Sequence, residues 1–191
     1  SIKRQDSFLT NIHSNILNYY DVKKTNPIEN KEVDSVISFL RKNPLHMFPY
    51  DFIYKYDSGK INVFRDSISE LNYVYLGNQK LFYPEGWSSE NIRYSHSFSC
   101  LEQDENSPHS YQDESIKYGP NDVVVDAGSA EGNFSLEIVE KVKKVYLFEC
   151  SDGWQKPLKK TFQPWKDKVE IIPLKLSSIE DSSSTTLDRF F

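Results

Sequence analysis

The thirteen residues from Val123 to Ser135, VVVDAGSAEGNFS, constrain the fold of this chain more than any other stretch. Three consecutive valines have the branched, apolar character of a strand buried on both faces. Asp126 closes that run, and Gly128, Ala130 and Gly132 permit a tight turn. Phe134, Ile138 and Val142 then recur at helical spacing, with Leu136 and Val139 beside them. Strand, small-residue turn and helix in this order describe the nucleotide-binding corner of an open α/β sheet. A second acid, Glu149, closes the next apolar run, Val145-Tyr146-Leu147-Phe148, and lies 23 residues after Asp126. In such a fold a carboxylate about 20 residues on grips ribose hydroxyls.

Small side chains at 128, 130 and 132 would let backbone N–H groups approach a ligand. The spacing is acid-x-Gly-x-Ala-x-Gly. It departs from the dinucleotide fingerprint, whose third glycine would fall on Asn133, and the Gly-Lys-Ser/Thr of a P-loop is absent. An acid two residues before the first glycine repels a pyrophosphate but suits an ammonium group. S-adenosylmethionine has an α-ammonium, a sulfonium and no phosphate. Asp126 is expected to order its amino-acid end, and Glu149 to accept hydrogen bonds from both ribose hydroxyls.

The rest of the carboxyl-terminal region keeps the same rhythm. A second helix is expected around Trp154 to Phe162 and a third strand over Val169 to Leu174. Strands alternating with helices at this spacing imply a parallel sheet with right-handed crossovers. The serine-rich, acidic segment 177–186 reads as a mobile loop.

Upstream, the pattern is mixed. Phe8, Ile12, Ile16 and Tyr20 predict a helix over 7–20, and Val33, Val36, Ile37 and Leu40 a second one, closed by Asn43-Pro44. These stripes suit a scaffold or a dimer face, so a homo-oligomer is among the expectations. Asp57-Ser58-Gly59-Lys60 separates two β-rich runs, 52–56 and 61–64, as in a hairpin. Gly77-Asn78-Gln79 does the same for 72–76 and 80–83, and Ser88-Ser89 marks a helix start. Gly119-Pro120-Asn121-Asp122 is a turn, before which the boundary is drawn. The expected domains are a cap of helices and hairpins over 1–118 and an α/β domain over 119–191.

Bulk properties exclude some classes. A formal net charge of −5 argues against nucleic acid as the main partner. No apolar run reaches the ~18 residues of a membrane span, and no signal peptide opens the chain. Cys100 and Cys150 form no metal-ligand spacing, and His13, His46, His96 and His109 are scattered, so no metal site is expected. With two unrelated cysteines, a reducing, cytoplasmic compartment is the expectation.

Asp126-Ala127-Gly128-Ser129-Ala130-Glu131-Gly132-Asn133-Phe134-Ser135, with Leu147-Phe148-Glu149, resembles the FkbM-type class I methyltransferases. Thr185-Thr186-Leu187-Asp188-Arg189-Phe190-Phe191 is similar to the segment these proteins carry before their fourth strand. The region 102–111 is similar to members linked to bacterial surface-polysaccharide modification. The resemblance spans roughly Glu102 to Phe191. It implies a Rossmann-like methyltransferase sheet, a bound S-adenosylmethionine and O-methylation of a sugar hydroxyl in a surface polysaccharide. It makes Gly128 to Gly132, with Ser129, Ala130 and Asn133, the methionine-side loop, Glu149 the ribose acid and Cys150 a neighbour of the adenine edge. Ser177-Ser178 stands where the family has a Ser-Asp pair at the adenine amino group. His109 and Tyr111 fall where the family closes over cofactor or acceptor, and His109 is the one visible candidate for a catalytic base. Strands four to seven are not in the sequence, so the chain reads as the amino-terminal half of such a domain and a portion of a longer protein. The rival readings are a nicotinamide-dependent oxidoreductase and a non-catalytic scaffold with the same fold.

Overall fold

A computed structural model describes residues 2–23, 31–111 and 116–191. The chain forms two compact units, 1–56 and 57–191. The boundary expected at 118/119 falls inside the second unit.

In the first unit, α1 (Ile2–Lys23) and α2 (Lys31–Leu40) pack side by side. His13 Nε2 lies 2.7 Å from the Leu40 carbonyl oxygen, and the Arg41 guanidinium pairs with Asp21. Among the described residues of the unit, Ile37, Phe39, Leu40, Phe48 and Phe52 are the buried apolar side chains. The α1 stripe is shallower than its periodicity suggests. Ile12, Ile16 and Tyr20 are half-buried, and Phe8 is 63% exposed. Asp51–Lys55 is a 3-10 turn, and in the second unit Ser58–Lys60 is another. The first expected hairpin therefore does not form. Its would-be turn is consumed locally, because the Asp57 carboxylate accepts the Gly59 N–H at 2.9 Å. Only Phe64–Arg65, β1, remains as strand.

The second unit contains both sheets. β2 (Asn72–Leu76) and β3 (Gln79–Phe82) form the second expected hairpin, with β1 paired antiparallel to β2. Gly77, at φ +59°, supplies the left-handed residue this turn needs. α3 (Ser89–Glu102) starts where Ser88 Oγ accepts the Asn91 N–H at 3.1 Å.

β4 (Val123–Ala127), β5 (Lys144–Phe148) and β6 (Val169–Ile172) make a parallel sheet in the order β4-β5-β6. Register runs from Val123 opposite Lys144 and from Val145 opposite Val169. α4 (Asn133–Ile138) links the first pair and α5 (Asp152–Thr161) the second. The result is a mixed α/β fold with a three-stranded parallel sheet, as a Rossmann-like arrangement requires. One apolar core runs from the hairpin (Val74, Leu81, Tyr83) through α4 (Leu136, Ile138) to the sheet (Val145, Leu147) and α5 (Leu158).

Besides the first hairpin, three elements differ from the sequence reading. β4 is an edge strand and is not buried on both faces, since Val123 is 51% exposed and Val124 and Val125 are half-buried. α4 ends at Ile138 rather than near 142, although Val139 and Val142 are still buried. The segment 177–186 is not simply a loop. β7 (Lys175–Leu176) pairs in parallel with β8 (Ser184–Thr185), both β8 residues are buried, and the Asp181 carboxylate accepts the Ser183 N–H at 2.8 Å. Thr186 then caps α6 (Leu187–Phe190), whose Phe190 meets Tyr146 and Phe148 edge-on at 5.5 and 5.0 Å.

Candidate functional site

The turn between β4 and α4 is wound tightly against the end of β5. Gly128 and Gly132 have φ of +78° and +75°, and Ala130 sits at +43°. The amides of Gly128 and Ser129 donate to the Phe148 carbonyl at 2.8 and 3.2 Å, and that of Gly132 donates to the Ser129 carbonyl at 2.7 Å. The Ala130 amide donates to Glu149 Oε2 at 3.0 Å, while the Ser151 amide donates to Oε1 at 2.7 Å. Glu149 is 8% exposed, so it clamps the loop onto the strand end from a largely dry position. An alanine in the left-handed region is strained by about 1–2 kcal/mol, which a charge-assisted bond of about 1.5–3 kcal/mol can hold in place.

This changes what the loop offers. Four of its amides, those of Gly128, Ser129, Ala130 and Gly132, point inward. The N–H groups left facing out at this end are therefore those of the first turn of α4, whose N-cap Gly132 makes no side-chain cap. Gly132 serves packing instead: a Cβ there would lie 2.8 Å from Phe162 Cε2 and 3.0 Å from Leu158 Cδ2.

Beside the loop lies a cavity of about 320 Å³, walled by Asp126, Glu131 and Glu102, with Ser129, Asn133 and Phe134. Burial pushes the Asp126 carboxyl above the ordinary aspartate range. Ser135 Oγ, donating to Oδ2 at 2.6 Å, opposes that shift, and the nearby Glu149 adds to it. Burial also raises Glu131; the Ser99 hydroxyl donates to its carboxylate, and the charges of Glu102 and Asp126 push it further up. Ser129 Oγ is the one buried side-chain polar atom among the described residues without a hydrogen-bond partner. The cavity is thus negative and carries a spare hydroxyl, a surface matched to a cationic, hydrogen-bonding ligand.

On the other side of the loop a second cavity, of about 210 Å³, is lined by Ala127, Gly128, Phe148, Glu149, Cys150 and the segment 174–176. Ala127 and Gly128 border both. The walls here are mainly apolar, with Glu149 at the junction.

The structure brings most of the sequence-derived residues together. Asp126, Gly128, Ser129, Ala130 and Asn133 line the first cavity, whereas Glu149 and Cys150 line the second. Gly132 lines neither. His109 borders neither cavity and sits with Nδ1 3.5 Å from Glu102 Oε1. Tyr111 does reach the first cavity, packing edge-on against Phe134 at 5.3 Å. Ser177 and Ser178 line neither cavity; the preceding residues Leu174 to Leu176 do. Glu131, Glu102 and Ser99 were not singled out from the sequence. Glu131 was legible as an unusual acid within a small-residue loop, but Ser99 and Glu102 reach the site only because α3 passes beside it.

Among the described residues, no group of three or more His, Cys, Asp or Glu side chains is placed to hold a metal ion. No helix there is long and apolar enough to cross a membrane. No protein-family model matches the chain, and no curated protein matches it significantly. Among solved structures, it is similar to precorrin 8w decarboxylase from Methanobacterium thermoautotrophicum, with 22% identity over 47% of this chain and 40% of that one. The TM-score of 0.27 is too low for that likeness to bear on fold or function.

Proposed function

We propose that the protein is an S-adenosylmethionine-dependent methyltransferase of the FkbM type, acting on a hydroxyl oxygen of a sugar. The observation that carries this reading is the division of labour in the loop. Its amides are committed inward while carboxylates line the cavity beside it. A pyrophosphate would lose the four committed loop amides and face the carboxylates of Asp126, Glu131 and Glu102. An ammonium and a sulfonium would find both charge and acceptors.

In this reading Asp126 and Glu131 hold the α-ammonium, and Ser129 Oγ gains the partner it lacks. Glu149 keeps the loop closed with one lone pair on each oxygen, leaving further acceptor sites for ribose hydroxyls. Cys150 and Leu174 to Leu176 border the space for a flat, largely apolar ring. When bound, the cofactor supplies an electrophilic methyl group. The protein's contribution is alignment of the acceptor hydroxyl and removal of its proton. His109, paired with Glu102, is the base this reading assigns. The sugar acceptor rests on the sequence resemblance.

Isothermal titration of the chain with S-adenosylmethionine, S-adenosylhomocysteine and NADH tests the reading. Binding of the first two, weakened at least tenfold in Asp126→Asn, is expected. Absence of binding, unchanged affinity in both Asp126→Asn and Glu149→Ala, or competition by NADH would overturn it.

A further inference from the structure

A third cavity in the second unit, of about 450 Å³, shares no lining residue with the two beside the loop. It lies at the carboxyl-terminal end of α5. That helix begins three residues after Glu149, and its 10 residues span about 15 Å. One wall is the tip of the β2–β3 hairpin and the other is the 3-10 turn Gln163–Trp165. The two walls are fixed to each other. The buried Phe82 N–H donates to Thr161 Oγ1 at 3.0 Å, and Lys160 Nζ lies 3.6 Å from Asp66 Oδ2. The cleft is therefore held open by the fold itself.

Its chemistry is distinctive. Trp165, half-buried with its inner part against the apolar core, contributes an indole surface. Asn78 and Gln163 flank it, and both are exposed, with side-chain amides that have no partner among the described residues. Lys80 adds an exposed ammonium, 4.5 Å from the centroid of the Tyr73 ring. The single carboxylate, Asp66, is already committed: it accepts from the Ser69 hydroxyl and amide at 2.6 and 2.8 Å and faces Lys160. With Lys160 facing Asp66, Lys80 is the one lining charge without an opposite lining charge, while Glu140 sits behind Gln79 and accepts from its side-chain amide at 3.4 Å. An indole stacks on the C–H face of a pyranose ring, and planar amides bridge vicinal hydroxyls as paired donor and acceptor. The exposed Lys80 ammonium, which meets the Tyr73 ring but no carboxylate of the cleft, takes an anionic substituent.

We propose that this cleft is a binding site for an acidic, uronate-bearing oligosaccharide, separate from the loop and independent of what the loop binds. The chain is titrated with tetrasaccharides derived from hyaluronan, alginate and pectin, and with neutral chitotetraose. The three tryptophan indole N–H resonances are followed by NMR, with Trp165 assigned from Trp165→Phe. At least one uronate tetrasaccharide is expected to shift the Trp165 signal and to bind tenfold more tightly than chitotetraose. Gln163→Ala and Lys80→Gln, both at exposed positions, are expected to weaken it at least fivefold without changing the spectrum elsewhere. The proposal is overturned if none of the three shifts Trp165, if both variants bind as the parent does, or if chitotetraose binds as tightly.

Discussion

Replacing Glu149 with glutamine isolates the clamp on the glycine loop. The carboxylate takes two amides, Ala130 N–H on one oxygen and Ser151 N–H on the other. A glutamine has one acceptor oxygen, so whichever amide it keeps, its own NH₂ is set against the second. The result is a donor facing a donor at a position 8% exposed. Loss of a charge-assisted bond with an amide left unsatisfied amounts to about 1.5–3 kcal/mol. With a urea m-value of about 2 kcal/mol/M, the unfolding midpoint falls by roughly 1 M. Trp87, Trp154 and Trp165 are the only tryptophans and all lie in 57–191, so their emission reports that unit without contribution from 1–56. A midpoint within about 0.2 M of the parent, on the same m-value, would refute the claim that Glu149 holds the loop.

Gly132→Ala forces a Cβ against Phe162 and Leu158 at φ +75°. About 1–2 kcal/mol of backbone strain and about 1–3 kcal/mol of overpacking predict a larger loss than Glu149→Gln in the same urea assay. Thr161→Val removes the acceptor of the buried Phe82 N–H, and a loss of about 1–3 kcal/mol is expected, measured by the same emission. The raised carboxyls of Asp126 and Glu131 give two opposite pH trends. Because their folded pKa values lie above the unfolded ones, their contribution to the unliganded fold is full below the unfolded values and is lost as pH rises through the folded ones. A cationic ligand prefers the ionised acids, so its affinity falls as pH drops through the same folded values, above the ordinary range of about 3.9–4.3. Urea melts and titrations across pH 4–8 with opposite slopes are expected, and parallel slopes would contradict the assignment.

The backbone of the α/β region was readable because local and long-range demands agree there. The valines of β4, the apolar run of β5 and the cap at Ser88 specify strand, strand and helix start without help from distant residues. The hairpin expected across 57–60 failed for the converse reason. Aromatic residues with β character were present, but Asp57 captured the turn amide, and Phe52 stacks on Tyr50 at 5.6 Å at the entry to the 3-10 turn Asp51–Lys55. At the site, the acid-glycine spacing was legible, whereas the fate of the loop amides was not. Which way an N–H points depends on the carbonyl at the end of β5 and on Glu149, 19 residues further on. The acidic wall formed with Ser99 and Glu102 depends likewise on α3, whose Ser99 lies 32 residues upstream of Glu131.

The packing of Gly132 against α5 also bears on how this site could change over generations. Enlarging residue 132 first passes through a poorly folded intermediate, because the ring of Phe162 leaves no room. Shrinking residue 162 first, as in Phe162→Leu, opens that room at a modest cost in burial. The positive φ at 132 persists, so the residue that could then follow is asparagine, which tolerates the left-handed region. The order of the two substitutions is therefore constrained. The pair should show strong positive epistasis, with a helix behind the site deciding which loop sequences are accessible.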